Sequence, residues 1–166
     1  MKKIPLFLFL VLGWNLTANG QDNIRPQSPK ELGEAVFKAF QENNIESFLS
    51  LILNESDIDI LIEKVDIPDS LKAAGAKNIW GVASTTRQNA KAKFDDALKR
   101  ISEKDFVWSE AEVVQILDEI ETRNGLELTE ILLFFKSGDI TFAIRMPVCY
   151  KSDAWLMLKE IILLDK

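Results

Sequence analysis

The sequence predicts an α+β fold in which N-terminal helices pack on a curved four-stranded antiparallel meander. Three observations predict it. Apolar residues recur at helical spacing up to about residue 104, and the pattern then changes to alternation for the last 60 residues or so. Asn124-Gly125, set between two alternating runs, is the strongest short hairpin signal available, because both residues accept positive φ. Helices gathered at one end of a chain and strands at the other build separate layers.

The helical part begins at Ser28-Pro29-Lys30-Glu31, which reads as a capping box with proline at the first helical position. Leu32, Ala35, Val36, Ala39 and Phe40 then form one apolar stripe. Asn43-Asn44 ends this helix and caps the next, expected over 45–53. Ser56 is expected to cap a short helix through residue 65, Pro68 to interrupt, and a segment over 69–79 to stop before Gly81. A further helix is expected over 86–101, where Ala90, Phe94, Ala97, Leu98 and Ile101 share a face. Arg87, Lys91, Lys93, Lys99 and Arg100 decorate it, but Asp95 and Asp96 lie among them, and this reads as an ordinary solvated face.

Four strands follow, expected over 107–121, 126–135, 140–150 and 155–164, joined by Asn124-Gly125, Ser137-Gly138-Asp139 and Lys151-Ser152-Asp153. Pro147 cannot donate to a ladder, so it belongs at an edge or a bulge. Leu, Ile and Phe occupy both parities of these strands, which predicts that part of the second sheet face is also covered.

Ahead of the fold, Lys2-Lys3, the apolar run over 4–14, and Ala18-Asn19-Gly20 have the order of a secretory signal peptide cleaved before Gln21. The run is about half of the roughly 20 residues a spanning helix needs, and no cysteine near the exit offers a lipid attachment atom. The expected product is secreted or periplasmic, without membrane insertion after cleavage; the short apolar region and the Lys-Lys start look bacterial. Residues 21–27 read as a flexible lead-in and 28–166 as a single domain.

Composition excludes several functions. Without Lys2 and Lys3, 18 basic residues face 26 acidic ones, a net charge of −8 that repels nucleic acid and anionic lipid surfaces. Histidine is absent, which removes Ser-His-Asp and Cys-His catalysis and the commonest zinc ligand. Cys149 is the only cysteine, so no intramolecular disulfide forms, and its strand-like context reads as a buried small hydrophobe. Asp57-Ile58-Asp59 lacks the rest of a calcium loop and reads as a solvated helix start. The sequence calls for no cofactor and no metal.

The stretch from Pro29 to Phe40, followed by Asn43-Asn44-Ile45-Glu46-Ser47-Phe48, resembles the opening helix pair of the nuclear-transport-factor-two-like superfamily. Lys136-Ser137-Gly138-Asp139 and Asp153-Ala154-Trp155-Leu156-Met157-Leu158 are similar to its closing hairpins, where a tryptophan opens the final strand. The helical stretch over 54–104 departs from it by its length. The resemblance implies a cone-like roll with a cavity at its open end; members include polyketide cyclases, ketosteroid isomerases and secreted binding modules. The isomerase roles do not map onto Tyr150, the only tyrosine, and the cyclase His-Asp pair is impossible here. The resemblance implies a pocket rather than a reaction.

Trp80, Trp108, Tyr150 and Trp155 are candidates for the mouth of such a pocket, with core packing as the competing role. Glu130 and Arg145 would lie opposite each other on adjacent strands if Ser137-Gly138 formed a two-residue turn, as an ion pair or as an acid/base group. Three functions stay open. The leading one is a secreted non-catalytic module binding a small apolar ligand or an envelope protein through the cone. The others are an assembly protein forming a homodimer through its sheet, and a carboxylate-only isomerase or dehydratase.

Overall fold

The computed structural model describes residues 25–164. The expected signal peptide over 1–20 lies outside the described residues. Helix α1 spans Pro29–Gln41. Ser28 Oγ accepts the Glu31 N–H at 3.1 Å, but the Glu31 carboxylate reaches past the cap to the Gln27 N–H, at 2.7 Å. Asn43, at φ 49°, turns the chain, and the Asn44 side chain caps α2, Ile45–Ser50. Helix α3, Glu55–Lys64, is capped by Asn54 rather than Ser56, because only Asn54 stands three residues before Asp57, whose carboxylate closes the reciprocal capping box.

The break expected at Gly81 does not occur. Helix α4 runs unbroken over Asp69–Ser102, 34 residues and about 51 Å at 1.5 Å per residue. One glycine weakens a helix by only about 1 kcal/mol. Ala83, Thr86, Ala90, Phe94, Ala97 and Ile101 are all buried along α4 and hold it in place. Arg87, read as part of a solvated face, instead donates to the Leu49 and Ile52 carbonyls at 3.0 and 2.8 Å, satisfying the end of α2. Lys91 and Asp95 do pair across the exposed side, at 2.6 Å.

The meander has four lanes, with both outer lanes broken, so the described residues form six strands: β1 Glu112–Asp118, β2 Glu121–Arg123, β3 Leu126–Ser137, β4 Ile140–Lys151, β5 Trp155–Met157 and β6 Ile162–Leu164. β3 and β4 form the centre; β1 and β2 both pair β3, and β5 and β6 both pair β4, all antiparallel. The first lane starts late because residues Trp108–Glu110 form a 3-10 turn that places Trp108 among Phe37, Phe40, Phe106 and Phe135. It breaks at Glu119, where the Thr129 hydroxyl takes over both backbone groups, accepting from the N–H at 3.2 Å and donating to the carbonyl at 2.9 Å. The last lane breaks opposite Pro147, which lacks an N–H and sits in a bulge.

The inner face of the sheet carries Ile131, Leu133, Phe135, Phe142, Ile144 and Met146 against α1, α2 and the second half of α4. Gly33 sets the approach of α1, since a Cβ there would meet Ile116 Cδ1 at 2.9 Å. The outer face is covered only at one end. There Leu126, Tyr150, Leu156 and Leu158 pack with Ile58 and Leu61 of α3 and with Ala83 of α4. Helix α4 therefore crosses the β5–β6 edge of the sheet, its first half serving the outer cluster and its second half the inner one. The described end of the expected lead-in, 25–27, is tied down: Arg25 pairs with buried Asp57 at 2.9 Å, and the Pro26 carbonyl accepts the Trp155 N–H at 2.8 Å.

Candidate functional site

The sheet and helices do not bring the six sequence-predicted residues to one place. Trp155 is 1% exposed and belongs to the inner core, and Trp108 closes an aromatic stack over the same core. Tyr150 lies under the outer cluster, while Trp80 sits on the exposed part of α4. Phe40 stacks on Phe94 at 4.4 Å between centroids, and Phe48, Phe135 and Phe142 extend the array. An interior cavity beside Phe48, Ile52, Ala90 and Met157 has a volume of about 10 Å³, no more than a water requires.

Glu130 and Arg145 do meet, by a different register from the one expected. The two-residue turn is Gly138-Asp139, with Gly138 at φ 58°, so Arg145 stands opposite Leu132 and Glu130 is its diagonal neighbour. Arg145 Nη2 donates to Glu130 Oε2 at 2.6 Å, with both side chains about 40% exposed. That bond and the carboxylate charge raise the Arg145 pKa. Arg145 Nε is buried with no hydrogen-bond partner among the described residues. Glu130 also borders a shallow 300 Å³ depression with Glu119 and Glu121. Arg123 bonds Glu121 from Nε at 2.8 Å, so a cation already answers two of these three carboxylates. Cys149, directly behind the bulge, is fully buried; burial first and the Glu130 charge second push its thiol pKa up, out of the reactive range.

Two features escaped sequence reasoning. The first is the uncovered part of the outer face, where two rows of cross-strand neighbours run over four strands. One row is Leu117, Leu132, Arg145 and Ile162; the other is Gln115, Phe134, Ala143 and Leu164. Leu117, Ile162 and Leu164 are 44%, 43% and 37% exposed. Apolar residues on both parities signalled a covered second face, but not that the cover stops midway.

The second is an open groove of about 770 Å³ where α4 crosses the sheet edge, between Gly81, Val82 and Thr85 on one side and Pro147, Ile161 and Ile162 on the other. The Thr86 hydroxyl, donating to the Leu158 carbonyl at 2.9 Å, and Asn89, donating to Glu160 at 2.7 Å, fix the distance between its walls. No signal for this groove exists in the local sequence, because its walls are about 70 residues apart.

Among the described residues no group of three or more His, Cys, Asp or Glu side chains is placed to hold a metal ion, and no helix is long and apolar enough to cross a membrane. No family model matches the chain, and no curated protein matches it. Among solved structures the chain is similar to a cystatin-like protein from Ruminococcus gnavus ATCC 29149, at 12% identity and a TM-score of 0.42 over 83% of this chain and 45% of that one. The chain thus spans less than half of that protein's length, and a likeness of this degree assigns neither family nor activity.

Proposed function

We propose that this protein is a secreted, non-catalytic assembly module that pairs with a second copy of itself through the uncovered outer face of its sheet. Secretion rests on the order of residues 1–20, and a place in the nuclear-transport-factor-two-like superfamily rests on the residues quoted above for it. The observation that carries the proposal is the double row in which exposed Leu117, Ile162 and Leu164 flank half-buried Leu132 and Phe134, with Arg145 and Gln115 as its polar members. Contiguous apolar surface of this kind marks an interaction site on a soluble domain.

Charge favours a second copy as the occupant. The chain carries a net −6, which opposes self-association, but the charged side chains that stand in line with the two rows, Arg145 and Lys136, each have a carboxylate partner within the same copy. Glu112 pairs with Lys136 at 3.1 Å and Glu130 with Arg145 at 2.6 Å, so these four charges cancel within each copy, and Glu119 lies beyond the rows in the neighbouring depression. A two-fold arrangement sets the same patch against itself. The alternative pocket inside the cone draws little support from an interior filled by aromatic rings. A carboxylate-only enzyme draws little from Glu130, which is half exposed and already bonded.

Light scattering on the purified protein tests the proposal. A dimer is expected at micromolar concentration, and Leu117→Lys with Ile162→Lys is expected to return a monomer of unchanged melting temperature, since both side chains are already more than 40% exposed. A wild-type monomer at every accessible concentration, or a lysine variant that stays dimeric, overturns it.

A further inference from the structure

We infer that the groove between α4 and the β5–β6 connection is a binding site for a small amphipathic anion, a free carboxylate with an alkyl body. Its volume of about 770 Å³ falls in the range of small-molecule sites, roughly 300–1,000 Å³. Part of its lining is apolar, formed by Val82, Pro147, Ile161 and Ile162. Its charged lining is mostly basic in a chain whose net charge is negative. Lys77, Lys93 and Lys159 line it against one carboxylate, Glu160. Glu160 is already engaged, by Lys93 at 3.5 Å and by Asn89 at 2.7 Å. Lys77 and Lys159 have no carboxylate within ion-pair distance among the described residues, so two positive charges face the groove unanswered. A local field opposite in sign to the net charge of −6 selects an anion.

Gly81 is the second observation. It stands in the interior of a 34-residue helix, where glycine is unfavourable, and it lines the groove. A Cβ built there meets nothing within 4 Å, so no packing contact requires glycine. What the missing side chain leaves is open space on the helix wall of the groove, where the backbone is accessible to an alkyl chain.

This inference goes beyond the pairing of outer faces and does not rest on it. Only Ile162 belongs to both surfaces, and Lys77, Gly81 and Lys159 lie off the two rows. Decanoate is the probe, with octyl glucoside as an uncharged amphiphile, both below their micellar concentrations and followed by amide chemical shifts. Saturable 1:1 binding of decanoate is expected, with shifts confined to the groove-lining residues 77–86, 93 and 159–162 and to 148 beside Pro147. Octyl glucoside should bind about tenfold more weakly, and the Lys77→Ala/Lys159→Ala variant should lose about tenfold for decanoate, the combined effect of two exposed charge pairs.

Gly81→Phe should abolish binding by filling the groove, while its melting temperature stays at or above the wild-type value. Equal affinity for both probes, an unaffected lysine variant, or shifts elsewhere on the molecule would overturn the inference. So would sedimentation with phosphatidylglycerol vesicles in the absence of saturable decanoate binding, which would make the basic lining a membrane contact. The lysine variant should leave the oligomeric mass unchanged, so failure of this site and failure of the pairing proposal are read separately.

Discussion

Cys149 shows how a single side chain reports its surroundings. Its thiol is fully buried behind the Pro147 bulge, and desolvation, followed by the nearby Glu130 charge, raises its pKa. A thiol that stays protonated in the fold but ionises in the unfolded chain near pH 8.5 makes stability fall as pH rises. The contribution is present in full below that value and is lost progressively above it, through the alkaline range. We therefore expect native Cys149 to resist iodoacetamide at pH 8 and to react once the chain is unfolded, and Cys149→Ala to flatten the alkaline decline in melting temperature. Rapid labelling of native protein would show that the bulge opens. Burial of this residue was readable from Val148 and Tyr150 on either side. The ion pair of Glu130 and Arg145 was readable as a pair but not in its geometry, because the turn moved by one residue and a long guanidinium bridges a diagonal as readily as a direct pair.

At the scale of elements, sequence periodicity located helix in the regions of α1 to α4 and all four lanes of the sheet among the described residues, but it split α4 in two and read the turn at Trp108–Glu110 as strand. It failed where one side chain overrules the local pattern. Thr129 replaces a stretch of ladder with its hydroxyl, Pro147 splits the last lane, and Trp108 leaves the strand to fill the core. Gly81 was misread for a related reason: breaking signals are local, whereas α4 is held by packing along its length. The structure makes the energetic consequence of Gly81 testable. Since a Cβ meets nothing within 4 Å, Gly81→Ala removes the backbone entropy penalty without strain and should stabilise the protein by about 0.5–1 kcal/mol in urea unfolding. A loss of stability would mean that the groove closes on Gly81 in solution. Asn54 and Asp57 give a comparable measure at the start of α3, where the carboxylate both closes the capping box and holds Arg25. Asp57→Ala should lower stability by about 1–2 kcal/mol, with Asp57→Asn retaining part of the cap.

At the scale of the whole molecule, the question is whether the two apolar clusters on opposite faces of the sheet fold as one. Trp155 and Leu156 are adjacent on a three-residue strand, yet Trp155 belongs to the inner cluster and Leu156 to the outer one. The same strand is clamped on both sides. The Trp155 N–H donates to Pro26, while Met157 exchanges hydrogen bonds with Leu51 and Leu53 at 2.8 and 2.9 Å. A disturbance at β5 therefore reaches the segment at 25–26, the end of α2 and both cores together. Trp155→Ala removes the largest fully buried ring and leaves a cavity, and it should destabilise the fold by about 3–5 kcal/mol. Coupling through β5 adds a second expectation: near-ultraviolet and far-ultraviolet dichroism should still lose signal in one coincident transition, because α3 has no core of its own once Leu156 and Leu158 leave it. A loss under 1 kcal/mol would place the ring outside the core. Two separated transitions, with helical signal surviving the first, would show instead that α3 and the first half of α4 form a unit that the sheet merely borders.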